Sequence, residues 1–390
     1  MTSDLMTEVG YLSINHNGEE LCGDHIESLS KNNVQIAVLA DGLGSGVKAS
    51  ILSILTSKIL STMILDEIPM EEVINAVAAT LPVCKERGVA YSTFTIIKVK
   101  DNNLVDIYNY DNPDPFLLRK GKNFPLYFIN EIIGGKKISH TTFIAEPYDA
   151  IISVSDGVVH AGIGETLNFG WEMKDVIAYM ENIYLNSYSA KSLSTILVSH
   201  VNDLYVGRPG DDATCLTLKI REKRKVNLLI GPASVKEDDE KMLKEFFDSK
   251  GLHIVSGGTT SHIAASYLHQ ELSLALEYED KDIPPIALIK GVDLSTEGAI
   301  TINRVYDYAK NVLSDNSKYF EWCYKQDGAS KIARMLFEDA TEINFFVGCA
   351  INPAHQLEGL PINFKTKMQL IFELGDCLEK MGKTVKIRYY

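Results

Sequence analysis

The chain has 390 residues, of which 45% are hydrophobic and 23% charged, as in an ordinary globular protein of two or three domains. Its net charge of −14 excludes duplex nucleic acid as the main partner, because no broad basic field exists to displace counterions, and it disfavours anionic membrane surfaces. The six cysteines are isolated and form no C-x-x-C pair, so we expect free thiols and a cytoplasmic protein.

No segment of the sequence predicts export or membrane insertion. The N-terminus lacks the basic and then apolar layout of a signal peptide. The most apolar long window, residues 51–65, is interrupted by Lys58 and is shorter than the ~20 residues that a bilayer needs. We therefore expect no membrane partner, and a buried amphipathic helix in this window. The apolar face of that helix is predicted to carry Leu52, Leu55, Ile59 and Met63.

Residues 1–220 show strand patterns that are separated by pairs of helices. The apolar run 34–40 predicts a strand buried on both faces, which stops at Asp41-Gly42. Two helices follow across about 47–86, and Pro69 opens the second one. Further strands are predicted at 92–98, 104–110, 116–119, 150–155 and 214–220, with helices at about 171–185 and 189–205.

The pattern changes at the basic run 221–225, which we interpret as a solvated linker and a domain boundary. Beyond it, strands and helices alternate as far as a last strand at 384–389. This rhythm predicts a three-layer α/β domain with a largely parallel sheet over residues 226–390. The acid excess lies before the boundary, since residues 1–222 hold 17 basic and 28 acidic groups.

Four acidic motifs stand beside predicted strand ends in the first half: Gly23-Asp24, Asp41-Gly42, Asp156-Gly157 and Asp211-Asp212. A single Asp-Gly is usually only a turn, but carboxylates at several strand ends can converge on one edge of a sheet. Hard divalent cations such as Mg²⁺ and Mn²⁺ prefer such oxygen ligands. The set therefore predicts a cation-binding site.

The order of these motifs resembles that of the metal-dependent protein phosphatases (type 2C), and in particular the bacterial branch typified by stage II sporulation protein E. The resemblance covers about residues 8–220, and it includes the loop 40–46 and the strand 92–95 between the acidic motifs. It implies that residues 1–222 form an α+β phosphatase domain, a β-sandwich of two antiparallel sheets flanked by helices. The predicted α/β domain follows it.

The resemblance also implies roles for individual residues. Asp41 would bridge two divalent cations, Mn²⁺ or Mg²⁺, with the Gly42 carbonyl on one of them. Asp156 and Asp211 would bind the other cation, and Asp24 would act through a coordinated water. Asp41, Asp156 and Asp211 are thus the expected catalytic residues, with single-step hydrolysis by a water that bridges the two metals.

The sequence departs from the eukaryotic branch of this family at two places. Leu43 stands where some members carry a histidine after the bridging Asp-Gly, so protonation of the leaving group falls to water or to another group. No basic residue occurs at 19–23, ahead of the first acidic motif, so phosphate binding is expected to rest mainly on the metals. Asp212 is expected to support the ligands and not to bind a metal itself.

A second candidate site lies in the C-terminal half. Gly257, Gly258, Thr259 and Thr260 stand between a predicted strand and a predicted helix, where free N–H groups and the helix dipole can hold an anion. Plain capping of the helix by threonine is the alternative that the residues leave open. A small anionic effector is therefore one expected partner, and the C-terminal domain is interpreted as regulatory or ligand-sensing.

The leading interpretation is a phosphoserine/phosphothreonine protein phosphatase of bacterial signalling, which acts on a phosphorylated protein. Two other interpretations stay open. One is a catalytically silent sensor or binding module with the same fold, and the other is a nucleotide-binding enzyme centred on the C-terminal domain. A homodimer is an assembly that the sequence leaves open.

Overall fold

The computed structural model describes residues 4–80, 92–274, 283–350 and 364–390. Contacts between Cα atoms divide the chain into two compact units, Met1–Glu222 and Lys223–Tyr390. Five cysteines are free thiols, and Cys84 lies outside the described residues.

The N-terminal unit contains two antiparallel sheets and five helices within its described residues. Its strands are β1 Leu5–Ile14, β2 Asp24–Lys31, β3 Val34–Gly42, β4 Ser92–Lys100, β5 Leu104–Tyr110, β6 Phe116–Arg119, β7 Lys122–Phe124, β8 Ile129–Ile133, β9 Lys136–Ile144, β10 Ala150–Val154 and β11 Ala213–Glu222. Its helices are α1 Gly46–Leu65, α2 Met70–Thr80, α3 Asp156–Val159, α4 Met173–Ile183 and α5 Ala190–Leu204. The predicted extension of the second helix to about residue 86 lies outside the described residues.

The two sheets have strand orders β1-β11-β10-β6-β7 and β2-β3-β4-β5-β9-β8, and all their pairings are antiparallel. A two-residue turn, Asn32-Asn33, joins β2 to β3 and pairs Lys31 with Val34. Both asparagines have positive φ angles, of 50° and 62°. Such a turn matches the twist of an antiparallel hairpin, and asparagine tolerates the left-handed conformation better than most residues.

Alternate residues of β3 pack on opposite sides of its sheet, as the period of a strand requires. Ala37 and Leu39 join a core cluster that also contains Ile151, Leu216 and other side chains of the five-stranded sheet. The residues between them, such as Ile36 and Val38, pack instead with α1 and α2. The predicted strand buried on both faces is confirmed, because the cores on its two sides both need apolar residues.

The predicted apolar face of α1 holds for Leu52, Ile59 and Met63, which pack against the core cluster beside β3, and it is wrong for Leu55. Leu52 is buried, but Ile59 and Met63 are only half-buried, and Leu55 is 41% exposed together with Val47 and Ile51. The buried face of α1 consists largely of small residues instead: Ala49, Ser50, Ser53, Thr56, Ser57 and Ser61, with Leu52, Leu60 and Ile64 among them.

Small residues are needed on this face because α1 lies against strand backbone. A Cβ on Gly42 would lie 2.1 Å from the carbonyl oxygen of Ala49, so nothing larger than glycine fits there. The buried hydroxyls bond to carbonyls of the same helix, for example Thr56 Oγ1 to Leu52 O at 2.8 Å. Hydroxyls that are satisfied in this way can be buried at little cost, so a search for apolar periodicity does not detect the face.

One further test bears on α1. By length and composition alone this helix could cross a membrane, and it is the one such helix among the described residues. Core helices of soluble proteins pass the same test, and 44% of the apolar window in α1 is buried.

The C-terminal unit contains one mixed sheet with helices between its strands. Its strands are β12 Lys225–Ile230, β13 Leu252–Ser256, β14 Leu272–Leu274, β15 Ala287–Ile289, β16 Leu294–Thr296, β17 Glu342–Val347 and β18 Thr384–Tyr389. Its helices are α6 Asp238–Asp248, α7 Gly258–Tyr267, α8 Ala299–Leu313, α9 Tyr319–Trp322, α10 Gly328–Ala333 and α11 Phe364–Lys380, with a π-helical turn at Arg334–Asp339.

The strand order of this sheet is β14-β15-β16-β13-β12-β17-β18. The five strands from β16 to β18 in this order pair in parallel, and the short β14 and β15 add antiparallel pairs at one edge. Since β12 comes first in the chain, the parallel part has the order third, second, first, fourth, fifth. In such sheets the order reverses between the first and fourth strands, here β12 and β17.

The basic run 221–225 is not a solvated linker along its whole length. Arg221 belongs to β11, is buried, and forms an ion pair with Glu8 at 3.1 Å. Lys225 already begins β12 and pairs with Glu342 at 3.1 Å. A basic residue can be buried when a buried carboxylate pairs with it, as Glu8 does with Arg221. The sequence alone did not reveal this partner.

The mixed α and β class predicted for the chain is confirmed. The finer arrangement, a β-sandwich followed by a three-layer domain, stays a prediction.

The packing of α1 makes a testable prediction about two leucines on opposite faces. Leu60 is fully buried, so Leu60→Ala should lower the free energy of unfolding by about 2–5 kcal/mol. Leu55→Ala should change it by no more than about 0.5 kcal/mol, because Leu55 is largely exposed. Urea unfolding of both variants measures the difference. Equal losses would contradict the packing described here.

Candidate metal centre

Asp24 and Asp41 are neighbours across the β2–β3 hairpin. Asp24 begins β2, Asp41 lies near the end of β3, and the antiparallel register pairs the two residues directly. Paired residues of adjacent strands point to the same face and lie within about 4.5–5.5 Å at their Cα atoms. Asp24 is only 5% exposed and Asp41 is half-buried, so two carboxylates share a poorly solvated place.

The other acidic motifs lie at the adjoining ends of β10 and β11. Asp156 is the first residue of α3, directly after β10, and its side chain is exposed. Asp211 is half-buried just before β11, and its Oδ1 accepts a hydrogen bond from the N–H of Asp212 at 2.9 Å. Asp212 is buried, and its Oδ1 accepts a hydrogen bond from the N–H of His16 at 3.0 Å.

Direct contacts bring the ends of the two sheets together. Ser155 Oγ donates to Asp24 Oδ2 at 2.7 Å and accepts from the N–H of Thr214 at 2.9 Å, so one hydroxyl joins a carboxylate of one sheet to the backbone of the other. Two glycines allow the close approach. A Cβ on Gly23 would lie 2.7 Å from Asp212 Oδ2, and a Cβ on Gly157 would lie 2.2 Å from Asp212 O.

The pKa values of three of these carboxyl groups are raised. Burial raises the pKa of Asp41 to about 9, with further contributions from Asp24, Asp156, Asp211 and Asp212. Burial raises the pKa of Asp24 to about 7, although hydrogen bonds from Ser155 and Thr214 oppose the rise. The pKa of Asp211 is also raised, by burial first and by Asp156 second.

The residues present suit a hard divalent cation in chemistry and charge. All the donors are carboxylate or backbone oxygens, and the buried Oδ1 of Asp24 has no hydrogen-bond partner among the described residues. Their mutual repulsion would be relieved by a bound cation. In the described parts of the chain, however, no three His, Cys, Asp or Glu side chains stand close enough together to hold a metal ion as they are.

Leu43 follows the Asp41-Gly42 turn, and it is 36% exposed. It offers no proton donor, as the sequence implied. His25 lies on β2 and bonds through Nδ1 to Ser57 Oγ of α1 at 2.7 Å, and burial lowers its pKa. His160 is exposed at the end of α3.

Two supporting residues were missed at the sequence level. Ser155 belongs to the Ser-Asp-Gly motif, but its contact with Asp24 joins residues that are 131 positions apart. Tyr205, at the end of α5, donates through its hydroxyl to the Gly157 carbonyl at 2.8 Å. No local pattern marks either contact, because both depend on how the two sheets meet.

The predicted anion site of the C-terminal unit lies where β13 passes into α7. Thr260 Oγ1 accepts a hydrogen bond from the N–H of Gly231 at 2.9 Å, so one threonine contacts the end of β12. A carboxylate also lies beside this helix start, because a Cβ on Gly258 would be 3.0 Å from Glu297 Oε1. Lys367 Nζ lies nearer the point where the strand order reverses, and donates to Gly348 O at 2.7 Å.

Comparison with known proteins agrees with the motif order. Residues 31–221 match the family model described as stage II sporulation protein E (SpoIIE), which is just under half of the chain. On this match we call the N-terminal unit SpoIIE-like. None of the curated proteins compared with the chain matches it.

Several solved structures are similar to the SpoIIE-like unit. The phosphatase domain of SpoIIE from Bacillus subtilis has 16% identity and a TM-score of 0.44, covering 56% of this chain and 94% of that one. RsbX in complex with magnesium has 21% identity and a TM-score of 0.39, covering 55% and 95%. The catalytic domain of PstP with two manganese ions has 15% identity and a TM-score of 0.38, covering 56% and 99%.

The raised carboxyl pKa values predict that the metal-free protein loses stability as the pH rises. The folded state holds protons on Asp41 and Asp24 up to pH values near 9 and 7, whereas the unfolded chain releases them near 3.8. The folded state therefore binds more protons between these limits, and the free energy of unfolding falls with rising pH. In EDTA, the Tm should decrease between pH 5 and pH 9.

Asp41→Asn should flatten this dependence, because the amide does not titrate. Asp66→Asn is a matched control, since Asp66 lies in an exposed ion pair with Lys31. Thermal unfolding at several pH values measures the slopes. A slope in the Asp41 variant as steep as in the wild type and in the control would refute the coupling.

Proposed function

We propose that the SpoIIE-like unit is a Mn²⁺- or Mg²⁺-dependent phosphoserine/phosphothreonine protein phosphatase of bacterial signalling, folded as the β-sandwich that the family resemblance implies. The observation that carries the proposal is the pairing of Asp24 with Asp41 in a group of five electrostatically coupled carboxylates. An acidic group of this kind costs folding stability, and its repulsion would be relieved by bound cations.

In this proposal, Asp41, Asp156 and Asp211 are the principal metal ligands, with the Gly42 carbonyl and Asp24 completing the set. Two divalent cations, when bound, lower the pKa of a shared water and neutralise charge on the phosphoryl oxygens. The side chain of Asp156 is exposed and therefore free to turn toward a cation. Asp24 is held by Ser155, which fixes one oxygen and leaves Oδ1 for a water or a cation.

In this proposal, solvent protonates the leaving group and the metals bind the phosphate, because the chain supplies no residue for either at the expected positions. Leu43 has no proton to give, so the leaving alkoxide of a serine or threonine would take its proton from water. No basic side chain at 19–23 is available to hold the phosphate, so the unit should discriminate weakly among phosphate groups themselves. Selection of a substrate would then depend on the protein around the phosphorylated residue.

The second candidate is a catalytically silent module that binds phosphoproteins. One observation favours this module: among the described residues, no three acidic, His or Cys side chains stand close enough together to hold a metal ion as they are. The two functions differ in a simple measurement, since a silent module would bind a phosphopeptide without hydrolysing it in the presence of Mn²⁺.

We also propose that the C-terminal unit senses a small anion at Gly257, Gly258, Thr259 and Thr260. The helix α7 starts there with ten residues behind it, so its dipole and free N–H groups favour a negative ligand. Glu297 opposes this proposal, because its carboxylate lies next to Gly258. An anion that binds there would have to displace this side chain or bring a cation with it.

The phosphatase proposal predicts opposite effects of Asp41→Asn on activity and on stability. Hydrolysis of a phosphopeptide or an aryl phosphate should need Mn²⁺ or Mg²⁺, stop with EDTA, and fall by at least about 100-fold in the variant, because a shared metal ligand is lost. The Tm in EDTA at pH 8 should rise, because the amide avoids the free-energy cost of protonating Asp41 on folding, at a pH where the unfolded chain holds it ionised.

Asp66→Asn again serves as the control and should keep full activity. An Asp41 variant that turns over substrate like the wild type would eliminate the proposed metal centre. A wild type that binds phosphopeptide but never hydrolyses it would favour the silent module.

The effector proposal predicts that Glu297→Gln strengthens anion binding. Removing one like charge beside the site should raise the affinity for inorganic phosphate about five-fold. Gly258→Val should abolish binding, because its Cβ would already lie 3.0 Å from Glu297. Calorimetric titration of the full chain with phosphate measures both, with Glu321→Gln on the exposed side of α9 as the control. Unchanged affinity in all three variants would leave the helix start as a plain cap.

A further inference from the structure

We infer that Tyr205 is a positioning residue that sets the spacing of Asp156 and Asp211, and so tunes the affinity of the cation that these two carboxylates share. The inference rests on the proposed function, since it concerns the same metal centre. The inference starts from a buried tyrosine that contacts both acidic turns. Its hydroxyl bonds to the turn that carries Asp156, and its ring packs against the loop that carries Asp211.

The first contact is a hydrogen bond to the turn that carries Asp156. Tyr205 is 4% exposed, and its hydroxyl donates to the carbonyl oxygen of Gly157 at 2.8 Å. The backbone bonds of the short helix α3 end on the carbonyls of Ser155, Asp156 and Val158. Tyr205 therefore supplies the hydrogen bond for the Gly157 carbonyl, which fixes the plane of the Gly157–Val158 peptide, one residue beyond Asp156.

The second contact is with the loop that carries Asp211. The Cε1 atom of Tyr205 lies 3.5 Å from the position that a Cβ on Gly210 would take, so the ring packs against the residue before Asp211. Burial raises the pKa of Tyr205 to about 12, with smaller contributions from Asp211 and then Asp156, which agrees with a ring that lies near both carboxylates. The ring is thus a rigid spacer between the two turns.

The anchor of this spacer is α5. Tyr205 directly follows the last residue of that helix, and its N–H donates to the carbonyl of Val201 at 3.1 Å. The helix packs against the core of the five-stranded sheet through Leu197, Val198 and Val201. The position of the hydroxyl is therefore determined by a helix and not by the exposed loop in which Asp211 lies.

This arrangement distinguishes the two Asp-Gly turns. After Asp41, the Gly42 carbonyl is a proposed metal ligand, whereas after Asp156 the Gly157 carbonyl accepts from Tyr205. Residues that do not bind the metal but orient its ligands typically strengthen metal binding, and their removal lowers the affinity by about 10- to 100-fold. Because Tyr205 acts on the backbone beside Asp156 and not on its carboxylate, we expect the lower end of this range.

The test compares two tyrosine hydroxyls that both bond to backbone carbonyls. Tyr205→Phe removes the contact with Gly157. Tyr184→Phe is the matched control, since the Tyr184 hydroxyl donates to the carbonyl of Tyr148 and its ring is 9% exposed. Mn²⁺ is titrated calorimetrically into the full chain of each protein. We expect one Mn²⁺ binding event to weaken about ten-fold in Tyr205→Phe and no change in Tyr184→Phe.

A second measurement separates positioning from a general loss of structure. The Mn²⁺ concentration that gives half-maximal phosphatase activity should rise about ten-fold in Tyr205→Phe, and excess Mn²⁺ should restore most of the wild-type turnover. A loss of turnover that excess Mn²⁺ does not restore would overturn the inference. Equal Mn²⁺ affinity in Tyr205→Phe and wild type, or equal weakening in both tyrosine variants, would do the same.

The outcomes also keep the inference apart from the function on which it rests. If the wild-type chain binds no Mn²⁺ in the titration, the proposed metal centre itself is wrong. If the wild type binds Mn²⁺ and only the Tyr205 result fails, the metal centre stands and the tyrosine is an ordinary core residue.

Discussion

The burial of neighbouring carboxylates is the constraint on which the N-terminal unit depends. Asp24, Asp41 and Asp211 all have raised pKa values, and burial is the first cause in each of them. A fold that gathers such groups needs stabilisation elsewhere, and the apolar cores on both sides of β3 provide it. Hydrogen bonds from Ser155 and from the N–H of His16 offset part of the repulsion at the site itself.

The position of the Asp41 turn also depends on the unusual composition of α1. Glycine and small hydroxyl residues let this helix lie directly on the strand that ends in Asp41 and Gly42. With larger side chains on that face, the helix would stand further from the sheet. The loop between Gly42 and the first turn of α1 would then have to be longer, and the Asp41 turn would be less firmly held. Packing and site geometry are therefore two aspects of one contact.

Much of the site was predictable because its residues are ordered along the chain. Each Asp-Gly turn follows an apolar strand, and the order of the four motifs is a stronger signal than any one of them. The strand that ends in Asp41 and Gly42 was readable from its continuous apolar run, because both of its faces are buried. The family match over residues 31–221 supports the resemblance on which the residue roles were based.

The features that sequence reasoning missed depend on contacts between distant segments. The buried face of α1 carries hydroxyls that bond within the helix, so the search for apolar residues missed most of this face and assigned the exposed Leu55 to it. Arg221 looked like part of a linker because its partner, Glu8, lies 213 residues away in the chain. Ser155 and Tyr205 were invisible for the same reason, since their partners are fixed only when the two sheets and α5 are assembled.

The turn at Asn32-Asn33 has a consequence for the far end of its hairpin. Side chains of adjacent residues in a strand point to opposite faces, so a shift of β2 by one residue would turn Asp24 away from Asp41. The two-residue turn sets the pairing that aligns these carboxylates seven residue pairs further along the hairpin. The length of this small surface loop therefore determines which residues of β2 and β3 face each other at the acidic site. Inserting a single residue into it would separate Asp24 from Asp41 without touching either one.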